Sequence, residues 1–317
     1  MGVRFEITAV SDNEKLARKS IDAAIDEITR IEKVISSWDA NSETSEVNRN
    51  AGIQPVEVSQ ELFDLIRRSK KVSKLTRGIF DISYASMDRI WKFDGSMNSV
   101  PDSADVASSV AKIGFNNIIL DSQKRTIFLK EKGMKIGFGA IGKGYAANKA
   151  SDVMKGMGIN SGLVNAGGDL ITWGKMENDE DWRIGIANPK EKDNIFSWLI
   201  VSEMAVVTSG NYEKFFMVDG KKYSHIINPR TGYPATGTKS VTIICPNAEL
   251  ADALATSVFI LGKKDGIDLI DQLKGIECLI VTDDDELITS KNLKLNYYTK
   301  NKTRTNNKNT VKTIGGK

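Results

Sequence analysis

Lys135-Ile136-Gly137-Phe138-Gly139-Ala140-Ile141-Gly142-Lys143-Gly144-Tyr145 reads as a short apolar strand, Lys135–Phe138, that passes through a glycine-rich turn into a helix. The helix extends to about Met157. Leu163-Val164-Asn165-Ala166-Gly167-Gly168-Asp169 follows as a strand ending in a tight turn. Glycine lets backbone approach a ligand closely, and a helix N-terminus offers unpaired N–H groups to a phosphate. Lys143 adds a positive charge at that point. Gly-x-x-x-x-Gly-Lys-Ser/Thr is absent, because Gly144 follows Gly142-Lys143, and a purely structural turn is an equal reading for both glycine-rich segments.

Working outward, strands and helices mix without strict βαβ alternation, which predicts an α+β fold. Upstream, the pattern gives a strand over Met1–Val10 and an amphipathic helix over Glu14–Ser36. A polar loop or short helical turn around Trp38 comes next, then a helix over Gln60–Leu75 capped by Ser59. Gly78-Ile79-Phe80-Asp81 opens an irregular stretch through Trp91. A helix over Asp102–Ile113 and a strand pair at Asn117–Leu120 and Thr126–Leu129 complete this half. Downstream, strands are predicted at Trp182–Ala187, Ser197–Val201, Ala205–Ser209 and Val241–Cys245. A hairpin of Glu213–Val218 with Tyr223–Ile227 turns about Asp219-Gly220. Helices at Glu249–Leu261 and Gly266–Leu273 and strands at Glu277–Thr282 and Glu286–Thr289 close the pattern. Residues 1–298 form one unit, and the Asn/Lys/Thr-rich tail 299–317 is predicted to be disordered.

Composition narrows the function classes. The chain of 317 residues is 40% hydrophobic and 27% charged, as in ordinary globular proteins. Its net charge of +3 depends on the six basic residues after Tyr298, and the rest stands at −3. A slightly acidic body argues against nucleic-acid binding. Cys245 and Cys278 lie in apolar runs and read as buried strand thiols, with a disulfide left open.

Three constellations carry chemistry. Ser224-His225-Ile226-Ile227-Asn228-Pro229-Arg230-Thr231-Gly232 holds the only histidine of the chain, where a strand meets a loop. One histidine rules out any metal site that needs two imidazoles. In Ala251-Asp252-Ala253-Leu254-Ala255-Thr256, Asp252 and Thr256 share one helix face. A carboxylate, a hydroxyl and a nearby carbonyl suit a hard cation such as Mg2+, although an acid near a helix N-terminus also has a structural reading. Trp38, Phe80 and Tyr145 stand beside polar or glycine-rich turns, where they either stack on a planar ligand or pack in the core.

Taken in order, these pieces, with Met1-Gly2 and Thr208-Ser209-Gly210-Asn211-Tyr212, closely resemble the ApbE family of FAD:protein FMN transferases over about residues 1–290. The resemblance implies an α+β fold of two intimately packed subdomains. It implies Mg2+-dependent transfer of the FMN half of FAD to a Thr or Ser hydroxyl of a flavoprotein, with release of AMP. Acceptors of the family are flavin-bearing subunits of redox-driven ion pumps and related electron carriers. Carried over, the metal ligands are Ala140, Asp252, Ala255 and Thr256, and His225 is the general base. The FAD site draws on Met1, Trp38, Ile79, Phe80, Asp81, Gly137, Lys143, Asn165, Gly167, Gly168, Asp169 and Ile226. Gly137 stands where the family often has an Asp that contacts the nucleotide. Asn211 and Asn228 also replace the usual Asp, and Phe80-Asp81-Ile82-Ser83 replaces Phe-Asp-Pro-Thr.

Two other activities fit the same residues: an Mg2+-dependent FAD pyrophosphatase and a non-catalytic flavin carrier. Family members commonly act in the periplasm or cell envelope, often lipid-anchored. Because the chain opens on the family's Met-Gly strand, a trimmed precursor is expected, with any membrane association residing in a missing anchor and cytoplasmic action as the alternative.

Overall fold

A computed structural model describes residues 2–87, 90–187, 195–212 and 214–297. Met1, Glu213 and the tail 299–317 lie outside the described residues. The expected α+β architecture is present, built on one seven-stranded antiparallel sheet. Its strands are β1 (Phe5–Val10), β2 (Ser161–Ala166), β3 (Asp169–Trp173), β4 (Ala205–Gly210), β5 (Thr238–Cys245), β6 (Glu277–Thr282) and β7 (Leu287–Thr289). They lie side by side in chain order.

Both faces of the sheet are covered, so successive residues of the central strands are apolar in opposite directions. Val207, Ile243 and Ile280 face a layer of helices, whereas their neighbours Val206, Ile244 and Leu279 face a small sheet. That small sheet contains Trp182–Ala187, Ile195–Val201 and Asn296–Tyr297. Among the described residues the α-helices are α1 (Glu14–Ile35), α2 (Glu43–Arg49), α3 (Gln60–Leu75), α4 (Ser103–Ser109), α5 (Gly142–Gly156) and α6 (Ala248–Ile270). Helix α1 starts where the Asn13 side chain accepts the Leu16 N–H at 3.0 Å. Ala24, Ile28, Ile31 and Ile35 form its buried stripe. Ser59 caps α3 as expected, accepting from Leu62 N at 3.2 Å.

Helices α5 and α6 meet at their N-termini. A Cβ on Gly144 would lie 2.0 Å from the Ala248 carbonyl oxygen. This close approach places Lys143 beside Asp252. Gly144→Ala is therefore expected to lower stability by about 1–3 kcal/mol, as overpacking against rigid backbone does. Thermal unfolding of the variant checks it.

Several expected boundaries move. Lys135–Phe138 forms no strand, because its backbone bonds to side chains and one loop carbonyl. Lys135 N–H donates to Ser86 Oγ at 2.8 Å, Ile136 N–H to Asn48 Oδ1 at 2.7 Å, and Gly137 N–H to the Ile82 carbonyl at 2.9 Å. The two predicted C-terminal helices are one element broken at Gly262, whose φ of 75° no ordinary helix residue adopts. The hairpin pairs Phe215–Val218 with Lys221–Ser224, so His225 sits one residue past its second strand. Asp219 and Gly220 both take positive φ, as a two-residue hairpin turn requires. Cys245 and Cys278 are free, buried thiols on neighbouring strands.

Candidate active site

A cavity of about 940 Å3 opens between the helical layer and the His225 loop. Trp38, Ile79, Phe80, Asp81, Gly137, Ala140, His225, Ile226 and Thr256 all line it. A second cavity of about 550 Å3 shares Trp38, His225, Ile226 and Thr256 with the first and adds Lys143 and Gly167. Residues far apart in sequence thus converge on one elongated space with His225 and Thr256 at its waist. Pockets of this size suit a large planar ligand.

One wall grows from the end of α3. Thr76 Oγ1 accepts the Phe80 N–H at 3.0 Å, which holds Phe80 and Ile79 inward. Asp81 has another task. Its carboxylate accepts from Ser83 N, Ser83 Oγ and Phe115 N at 2.6–2.8 Å, capping the turn Ile82–Ser86. Burial pushes its carboxyl above the usual range, against the pull of these hydrogen bonds. Trp38 stands on the rim with 75% of its surface exposed. At Gly137 an added Cβ would come within 3.0 Å of Ala85 Cβ, so a side chain there has little room. Tyr145 is core packing: its hydroxyl donates to Glu61, and its ring lies near Arg68 and Lys149.

The floor is ionic. Lys143 Nζ lies 2.8 Å from Asp169 Oδ2 and 3.0 Å from Asp252 Oδ1. Gly144 N–H donates to Asp252 Oδ2 at 3.2 Å. Burial alone would lower the Lys143 pKa, but the two carboxylates outweigh it and raise it. Asp169 is pushed well above the carboxylate range by burial and then by Asp252. Asp252 and Asp169 are both 1% exposed and lie behind the wall, while Thr256, one helical turn on from Asp252, faces the cavity. Asn165 orders its own turn, accepting from Gly168 N at 2.8 Å and donating to Glu6 at 3.2 Å. Gly167 and Gly168 take positive φ there.

Among the described residues no group of three His, Cys, Asp or Glu forms a metal cluster. Asp252, the Thr256 hydroxyl and the carbonyls of Ala140 and Ala255 offer oxygen only. That donor chemistry fits a hard dication, which binds through one or two carboxylates and keeps waters or substrate phosphates.

His225 is half-buried. Its N–H donates to the Lys214 carbonyl at 3.0 Å, and Nδ1 lies 3.2 Å from the same oxygen. The tautomer that donates from Nδ1 carries its lone pair on Nε2. The Phe93 ring stands edge-on to the imidazole at 6.4 Å. Phe93, Trp91 and Lys214 line these cavities but were missed in the sequence, since nothing local links them to the histidine.

The ApbE family model matches residues 1–280. The chain belongs to the ApbE family. An FAD:protein FMN transferase of Klebsiella pneumoniae is 31% identical over 299 residues, covering 94% of this chain and 92% of that protein. One of Treponema pallidum is 30% identical, covering 83% and 78%. Among solved structures, the ApbE protein of Thermotoga maritima superposes with a TM-score of 0.83 at 30% identity, covering 92% of this chain and 94% of that one. The Pseudomonas stutzeri flavinyl transferase ApbE shares the fold, with a TM-score of 0.80 at 24% identity and coverage of 90% and 91%.

Proposed function

We propose that this ApbE-family protein transfers the FMN portion of FAD to a Thr or Ser hydroxyl of an acceptor flavoprotein. The observation that carries the reading is His225 at the waist of the cavity pair, beside Thr256 and the Lys143–Asp252 floor. A hydroxyl is a weak nucleophile and needs a positioned base. His225 Nε2 takes the acceptor proton as the hydroxyl oxygen attacks the FMN-side phosphorus. The pyrophosphate P–O bond breaks and AMP leaves. Lys143 faces the charge that builds on the leaving phosphate. Ile79, Phe80, Trp38 and Ile226 hold the planar parts of FAD, and Gly137 and Gly167 let its backbone-facing side approach closely. Asp252, Thr256 and the carbonyls of Ala140 and Ala255 would hold Mg2+, which would supply charge neutralisation at the pyrophosphate.

Incubating the protein with FAD, Mg2+ and a flavin-carrying subunit of a sodium-pumping quinone reductase is expected to add one FMN mass to that subunit. EDTA is expected to abolish the gain. AMP and free FMN without an adduct would instead identify water as the acceptor and a pyrophosphatase.

A further inference from the structure

The hairpin that precedes His225 stands apart from the main sheet. Phe215–Val218 and Lys221–Ser224 pair only with each other among the described residues. One face is anchored: Phe216 and Tyr223 stack at 5.1 Å, and Trp91 stacks on both at 6.0 and 6.2 Å. Trp91 also donates its indole N–H to the Gly232 carbonyl at 2.7 Å, tying the hairpin to the loop after His225. The opposite face presents apolar side chains to solvent, Phe215 at 40% and Met217 at 51% exposure.

The register fixes which backbone groups are used. A two-residue turn makes Val218–Lys221, Phe216–Tyr223 and Lys214–His225 the hydrogen-bonded pairs, and the last is seen directly in the bond from His225 N to the Lys214 carbonyl. The N–H and C=O groups of Phe215 and Met217 therefore point along the outer edge. That edge leads to Lys214, which lines the smaller cavity beside His225. Lys214 is exposed, so the edge carries a positive charge where it nears His225.

From this we infer that the outer edge of Phe215–Val218 is the docking strand for an extended, acidic segment of the acceptor protein. The inference rests on the transferase reading. The segment adds as a further strand, places apolar side chains on Phe215 and Met217, and sets a carboxylate against Lys214. Its hydroxyl residue then reaches His225 past Lys214.

Met217→Pro tests this, because it deletes an outward N–H and leaves the hairpin's own bonds intact. Rates of FMN adduct formation are measured by intact mass at limiting acceptor, with FAD affinity from flavin fluorescence. Met217→Pro is expected to slow adduct formation about tenfold, a loss that rising acceptor concentration restores, with FAD affinity unchanged. Met217→Val keeps the N–H and a strand-forming side chain, and is expected to stay near the parent. A parental rate for Met217→Pro overturns the docking strand alone. FAD affinity that falls with the rate also overturns it, by making the edge part of the flavin pocket. A parent that forms no adduct overturns the transferase reading and this inference with it.

Discussion

Asp252→Asn is expected to lower flavin transfer about 10²–10³-fold at a fixed Mg2+ concentration, as loss of one preorganised electrostatic partner does. The residue is 1% exposed and its carboxylate meets Lys143 Nζ at 3.0 Å and Gly144 N at 3.2 Å. Asparagine keeps an oxygen for the Gly144 N–H and loses only the charge. Alanine would also strip a buried ion pair of one member, which costs about 3–5 kcal/mol and would confuse the result with unfolding. Lys143 retains Asp169 at 2.8 Å, so the floor survives in the Asn variant. Transfer rate against Mg2+ concentration, with Mn2+ binding followed by magnetic resonance, reads the effect. A parental response to both ions removes Asp252 from the ligand set.

His225→Ala is expected to slow transfer about 10²–10⁴-fold, the usual worth of a positioned base. FAD affinity should hold, because the Phe80 wall, Trp38 and Ile226 remain. Single-turnover adduct formation and flavin binding, measured on the same preparation, separate the two effects. Transfer at the parental rate would leave His225 without its assigned role.

Much of the sheet was legible because its strands are apolar, short and bounded by turn residues. The helix ends were legible where a side chain acts locally, as Asn13 and Ser59 do. Lys135–Phe138 misled for the opposite reason. Its apolar pattern matches a strand, but Asn48, Ser86 and Ile82 take up its backbone groups from far along the chain. Asp81 shows a related limit. Nothing in the sequence separates a carboxylate that meets a ligand from one that closes three bonds around Ser83 and Phe115. The convergence of His225 with Phe93 and Trp91 is tertiary, and no local pattern links them. Asp252 and Thr256 stand one turn apart on α6 as their spacing implies, yet Asp252 turns to Lys143 while Thr256 turns to the cavity.

The chain-order sheet has a consequence for how such a protein diversifies. Strands β4 and β5 are direct neighbours, with Gly210 opposite Ser240, and everything from 211 to 237 leaves and returns at that seam. The residues proposed to cradle the planar ligand come chiefly from the other long excursion, between β1 and β2. Loop-closure entropy grows only slowly with length, so either excursion can be rebuilt at small cost to the scaffold. If the proposed roles hold, choice of recipient and grip on the donor are inherited through different stretches of the gene, and one can drift while the other is held.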